Sequence, residues 1–415
     1  MNQHMNRRDF LRAAALASFS ALMPLSGWTA TAAGAASSKK LLVIFLRGAV
    51  DGLNVVIPVG DPRYYEMRPN IAVRKPGQQG GALDLDGYFG LHPAMQPLMQ
   101  LWGQRNLAFV HACGSPDPSR SHFDAQDYME SGAPGVKSMS TGWMNRLLTV
   151  LPENHSPVRA INFGPTMPRI LAGPASVADV SLGKNNHLPT DRPEVANFYG
   201  KLYANDPMLA GAFREGISAR KTINKDLADG EMADAEQMAA NKGALPPQAG
   251  FGKQLARLFQ KEPNTQVAFI AFGGWDTHVN QGSDKGQLAN KLGVLATGLA
   301  EFYQSIGEMG KDVTTVVMSE FGRTAHENGN RGTDHGHGNV MWLLGGDIAG
   351  GKVYGKWNGL SNSALYENRD VPVTSDFRSV ISTVLRGNLG IADSATTTIF
   401  PRFQTDRHME SILRV

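Results

Sequence analysis

The chain has 415 residues, with 40 Lys and Arg against 37 Asp and Glu, a formal net charge of +3. That near balance excludes the strongly basic surface that nucleic acid or an anionic membrane surface selects. Cys113 is the single cysteine, so no internal disulfide and no thiolate metal site can form, and any metal must be held by oxygen and imidazole.

At the N-terminus, NRRDFLR places Arg7 and Arg8 before Asp9, Phe10 and Leu11, and an apolar run follows from Ala13 to Leu25. The run has the length of a signal h-region and is too short for a permanent membrane span. Ala30-Thr31-Ala32 and Ala33-Gly34-Ala35 both suit cleavage. Residues 1–35 resemble a bacterial twin-arginine export signal. That resemblance implies the twin-arginine machinery as a partner and a periplasmic or secreted destination. It also implies transport in the folded state, often with a metal or cofactor already bound. No later apolar run reaches the length of a membrane span.

Leu41–Gly48 (LLVIFLRG) reads as a buried strand, a continuous apolar run ending in charge and glycine. His92–Gly103 has helical spacing, and Leu107–His111 is a second strand. SHFDAQDYMESG predicts a helix opening at Ser121, with Asp124 three residues on as a capping pattern. Trp143–Leu151 reads as a helix and Val158–Phe163 as a short strand. From 165 to 250 strong strand signals vanish, and the Ala-, Met-, Lys- and Glu-rich composition predicts a helical insertion or cap. Strands return at Val267–Phe272, Val313–Met318 and Val340–Leu344, with helices at Leu288–Ile306 and Phe377–Leu385. This alternation predicts one α/β domain over 40–410, a mostly parallel central sheet with helices on both faces.

GTDHGHGN, Gly332–Asn339, packs Asp334, His335 and His337 among three glycines. Glycine permits φ > 0 and a tight wrap round one point, and Asp with His suits a divalent ion. The alternative is a polar loop whose histidines bond backbone. The other acids and histidines cluster just past strands. Asp51 follows the first strand, Ser121 opens a helix, Asp276 and His278 follow Val267–Phe272, and Glu320 with Arg323 follows Val313–Met318. Ligands of open parallel sheets bind at the carboxyl ends of strands, so these loops converge on one edge. Taken singly, Asp51-Gly52 is a turn pair, Ser121 a helix cap, and Glu320–Arg323 an ion pair. His92, His111, His122, His155, His187 and His326 read as structural or solvated.

RGAVDGLNVVIPVGDPRYYEMRP, SRSHFDAQDYME, GGWDTH, SEFGRT and GTDHGHGN together resemble the domain-of-unknown-function family 1501, grouped with the alkaline phosphatase superfamily. The resemblance covers about 40–390 and implies an alkaline-phosphatase-like fold. It also implies a site in which Asp51 is a first metal ligand, Ser121 the nucleophile, and Asp276 and His278 ligands of a second metal. Glu320 then takes the place of a bridging Asp. His335 and His337 complete the shell, with Asp334 assisting. Phe321 stands where the superfamily has His and cannot ligate. Sulfatases of the same superfamily need Cys or Ser in C/S-x-P-x-R. Here PDPSR begins with Pro116, so formylglycine is disfavoured.

The expectation is an exported hydrolase of phosphate, phosphonate or sulfate esters. It uses one or two divalent metals, zinc first and Mg, Mn or Ca next, with Arg323 binding the substrate anion. The alternatives are a non-catalytic metal-binding envelope protein and a metal-free protein with structural polar loops.

Overall fold

A computed structural model describes residues 39–164, 166–180, 189–207, 209–223, 250–404 and 407–414. The expected export signal, and 181–188 and 224–249 of the expected insertion, lie outside the described residues. Among the described residues, nine strands form the main sheet: β1 (Lys40–Leu46), β2 (Leu107–Gly114), β3 (Ala160–Phe163), β4 (Ala178–Val180), β5 (Val267–Phe272), β6 (Val313–Met318), β7 (Asn339–Gly345), β8 (Lys352–Tyr354) and β9 (Ser375–Asp376). Their order is β8-β2-β7-β6-β1-β5-β3-β4, with β9 paired to β2. Every pairing is parallel except those of β7, which runs antiparallel to both β2 and β6. The mixed α/β class with a mostly parallel sheet is therefore as expected.

The unbroken apolar run of β1 follows from its central place, buried on both faces. Side chains alternate across a strand. Leu42, Ile44 and Leu46 face the core built with α3 (Phe251–Lys261) and α4 (Gln287–Ile306), through Leu255, Phe259, Leu292, Leu295 and Phe302. Leu41, Val43 and Phe45 face the opposite core with α2 (Trp143–Val150) and α5 (Phe377–Leu389), through Trp143, Leu147, Val380 and Val384. The remaining helix of importance is α1 (His122–Ser131), which follows β2.

Two expectations change. His92–Gly103 is not one helix but a 3-10 turn, Pro93–Leu98, followed by a short α-helix, Met99–Gly103, because Pro97 lacks the N–H that an α ladder needs. The segment read as a helical insertion or cap, 165–250, also contributes β4, paired in parallel with β3. Its helical part among the described residues is Pro193–Leu202 and 209–223.

Candidate metal centre

β1, β5 and β6 are parallel, so the loops leaving them open on one edge. The loop 332–338 precedes its strand, yet it reaches the same edge because β7 is antiparallel. Trp342 pairs with Val317, and Asn339 with Cys113 at the far end of β2. The loop then runs back along the segment after β6. Thr324 N donates to Asp334 O at 3.0 Å, Gly336 N to Gly322 O at 2.8 Å, and Gly322 N to His337 O at 2.9 Å. A Cβ on Gly336 would lie 2.4 Å from the Arg323 carbonyl, and one on Gly332 2.3 Å from the His278 backbone. Neither glycine, nor Gly338, has a positive φ. They serve close backbone approach, not the left-handed wrap that the sequence suggests.

Asp276, His278 and His335 meet there, with His122 as a fourth member. Ligand atoms of His122, Asp276 and His335 lie within 4.8 Å of one another. His278 Nε2 stands 3.0 Å from Asp276 Oδ1 and 3.0 Å from His335 Nε2. His335 Nε2 is 3.3 Å from Asp276 Oδ1, and His122 Nε2 is 3.4 Å from Asp276 Oδ2.

Each imidazole is held from behind. His122 Nδ1 lies 2.7 Å from Glu320 Oε1, His278 Nδ1 3.2 Å from Asp334 Oδ1, and His335 Nδ1 2.9 Å from the Arg120 carbonyl. Those partners only accept, so each neutral ring carries its proton on Nδ1 and turns the Nε2 lone pair toward Asp276. His122 Nε2 is buried without a hydrogen-bond partner. Three ring nitrogens and a carboxylate facing one another are reconciled by a proton or by a cation between them. The donor set fits a divalent cation of the zinc type.

The charges agree. The Glu320 hydrogen bond raises the His122 pKa against the opposing effect of burial. Burial lowers that of His335. Burial alone would raise Asp276, but the hydrogen bond and charge of Arg323, with His278 and His122, hold it below the usual carboxylate range.

The other expected residues play different parts. Asp51 is fully buried and binds Arg68 through both oxygens, at 2.6 and 3.1 Å, while Gln281 Nε2 donates to Oδ2 at 2.7 Å. Three of its roughly four acceptor positions are taken, so it stands outside the cluster as the partner of a buried cation. Arg323 is equally enclosed. It donates to the carbonyls of Ala49, Gly48, Thr333 and Trp275 and to Asp276, so each of its three nitrogens already has a partner within the protein. Glu320 accepts from His122, Gln126, Gly48 N and Ser319 and orients His122 instead of bridging metals. Asp334 orients His278 in the same way. His337 lies apart, stacked on Tyr366 at 4.8 Å. Ser121 is the N-cap residue of α1, but its hydroxyl makes no cap bond. Phe321 packs its ring 5.0 Å from both His122 and His335, an apolar floor beneath two imidazoles.

His122 is the residue that sequence reasoning passed over. The signal was present: it is the first residue of the helix after β2, one position beyond Ser121.

A search of curated protein sequences finds no significant match. Among solved structures, Ps i-CgsB in complex with k-i-k-neocarrahexaose is 11% identical, with 86% of this chain and 73% of that chain covered and a TM-score of 0.39. The C-terminal periplasmic domain of EcEptC from Escherichia coli, in complex with Zn, is 10% identical over 91% and 92% of the two chains, with a TM-score of 0.37. The lipoteichoic acid synthase LtaP from Listeria monocytogenes is 10% identical over 86% and 74%, with a TM-score of 0.30. Superpositions this loose transfer neither substrate nor residue roles. The family model described as "Protein of unknown function (DUF1501)" matches residues 38–399, and the chain belongs to that family.

Proposed function

We propose that this chain is a metal-dependent hydrolase of phosphate, phosphonate or sulfate esters, exported by the twin-arginine route. One divalent cation is held by His122, Asp276, His278 and His335. The carrying observation is that three Nδ1 atoms each face an acceptor while the three Nε2 atoms turn on one carboxylate. Imidazole-rich donors with one carboxylate suit zinc better than Mg or Ca, which prefer oxygen. Bound there, the cation supplies Lewis acidity toward an ester oxygen.

The protein's own groups supply position and a nucleophile. Glu320 and Asp334 fix the rings of His122 and His278, and Arg323 fixes Asp276. Ser121 is the nucleophile: its hydroxyl is not spent on the helix, and it stands at the positive N-terminal end of α1 beside His122. Arg323 acts on Asp276 and not on the substrate.

A second reading, a non-catalytic metal-binding envelope protein, draws on the fate of Asp51. With Asp51 closed by Arg68 and Phe321 in place of a ligand, donors for a second cation are lacking among the described residues. Elemental analysis of the mature protein, beside a panel of aryl phosphate, phosphodiester and sulfate esters, separates the readings. About one bound metal per chain with turnover supports the hydrolase. Metal without turnover selects the second reading, and a metal-free protein overturns both.

A further inference from the structure

The first strand leaves the sheet at Arg47, whose N–H donates to the Phe272 carbonyl at 2.8 Å and whose carbonyl accepts from Trp275 N at 3.2 Å. Its guanidinium, 5.3 Å from the centre of the Phe45 ring, turns onto α1. There it donates to Gln126 Oε1 and Glu130 Oε1. His122, Gln126 and Glu130 are spaced four residues apart, so all three lie on one face of that helix. Of the three, His122 alone belongs to the metal cluster.

Gln126 faces two partners of opposite kind. Arginine only donates, so the atom of Gln126 beside it is the amide oxygen. The amide Nε2 is left to face Glu320, where it donates to Oε1 at 2.8 Å. The same Oε1 lies 2.7 Å from His122 Nδ1. Flipped over, the amide would set its NH₂ against the guanidinium and its oxygen against the carboxylate. Arg47 thus dictates which end of Gln126 meets Glu320, and Gln126 with Gly48 N dictates where Oε1 stands.

Glu130 keeps Arg47 in place. Its buried carboxylate accepts from Arg47 on Oε1 and from Ile170 N on Oε2, the latter at 3.0 Å. Burial raises the Glu130 pKa, and the charge of Arg47 opposes that rise. An arginine paired only at the surface would be a weak anchor, whereas this one is tied to a carboxylate fixed inside the fold.

We propose that Gln126 and Arg47 are positioning residues of the metal centre. Arg47, clamped by Glu130, orients the Gln126 amide. That amide holds Glu320 Oε1, and Glu320 aims His122 Nε2 at Asp276. The inference rests on the reading of His122 as a metal ligand. The rival role is bracing of α1 against β1, which would affect stability and leave metal affinity alone.

The test is Zn²⁺ affinity by competition with a chromogenic chelator, beside urea unfolding of the metal-free protein. Gln126→Met should weaken Zn²⁺ binding about tenfold, the lower end of the range for supports behind a ligand. Arg47→Met should do the same. The double variant should bind no more weakly than the weaker single one, because both residues act along one path. If Arg47→Met does not fold, Arg47→Lys, which keeps a charge opposite Glu130 but loses the fork, takes its place in the cycle. Wild-type affinity in Gln126→Met, whatever its unfolding midpoint, overturns the proposal, as do losses that multiply in the double variant. A wild-type protein that binds no Zn²⁺ ends the metal reading and this inference together. One that binds Zn²⁺ equally well after Gln126→Met ends this inference alone.

Discussion

His122 Nδ1 and Glu320 Oε1 stand 2.7 Å apart at the bottom of the candidate metal centre. The same carboxylate takes Gly48 N at 2.8 Å, Gln126 Nε2 at 2.8 Å and Ser319 Oγ at 3.0 Å. Burial alone would raise its pKa, but these hydrogen bonds, that of His122 foremost, hold it below the usual range. An ionised Glu320 therefore fixes which nitrogen of His122 faces the cluster.

Glu320→Gln keeps the volume and, with its amide oxygen toward His122 and its NH₂ toward Ser319 Oγ, removes the negative charge behind His122. Metal affinity should fall about 10- to 100-fold, the usual effect of losing such a support, as read by competition with a chromogenic chelator. Ser319→Ala removes a donor from Oε2 without touching His122 and should leave affinity near wild type. Equal affinity in wild type and Glu320→Gln would remove Glu320 from this role.

Asp51 and Arg68 form a pair with no exposure on either side chain. Removing one partner leaves an uncompensated buried charge, so Arg68→Met should cost about 3–5 kcal/mol in urea unfolding. Adding Asp51→Leu should recover part of that loss, because an apolar pair replaces a lone charge. Metal content of whatever folds should be retained. A double variant that folds well yet loses its metal would restore Asp51 as a ligand.

The strands and their convergence were legible because burial on both faces writes continuous apolar runs, and loops after parallel strands share an edge. That the loop before β7 joins them depends on the antiparallel direction of β7, which no local pattern encodes. Residue types suited to metal were visible at Asp276, His278 and His335. What was hidden is which acids are free: Asp51 is spent on Arg68, seventeen residues away. Arg323, which reads as an anion binder, is spent on four carbonyls and Asp276. Such pairings arise from tertiary contacts, so the sequence showed the inventory but not the allocation.

His111, on β2, is wholly buried, and burial pushes its pKa down to about 4. Its Nε2–H donates to the Val56 carbonyl at 3.0 Å, and Nδ1 accepts from Ala112 N at 3.0 Å. The unfolded chain takes up this proton near pH 6.5 and the folded chain only near pH 4. Stability from His111 is thus complete above pH 6.5 and drains as pH falls toward 4, by up to about 3 kcal/mol. His92, also lowered by burial, adds a change of the same sign. Unfolding midpoints at pH 7 and pH 4.5 should differ less in His111→Phe than in wild type. An unchanged difference would show that His111 is not the group responsible.

The last prediction concerns Ser121. Its backbone has the extended N-cap conformation, φ −88° and ψ 121°, yet its hydroxyl makes no bond to the first turn of α1. The usual cap penalty for Ser→Ala, about 1 kcal/mol, should therefore be largely missing. Ser121→Ala should unfold within about 0.5 kcal/mol of wild type, as surface substitutions do, and should keep its metal. Turnover should fall by about 10³-fold or more, the order seen when a nucleophile is removed. The neighbouring serines are differently placed: Ser115 Oγ accepts from Asp117 N, and Ser119 Oγ from Ser121 N, each at 3.2 Å. Those hydroxyls already brace the turn before the helix. If Ser121→Ala hydrolyses the best ester at the wild-type rate, attack comes from one of them or from water. The nucleophile assignment is then lost, while the arrangement of His122, Asp276, His278 and His335 stands on its own geometry.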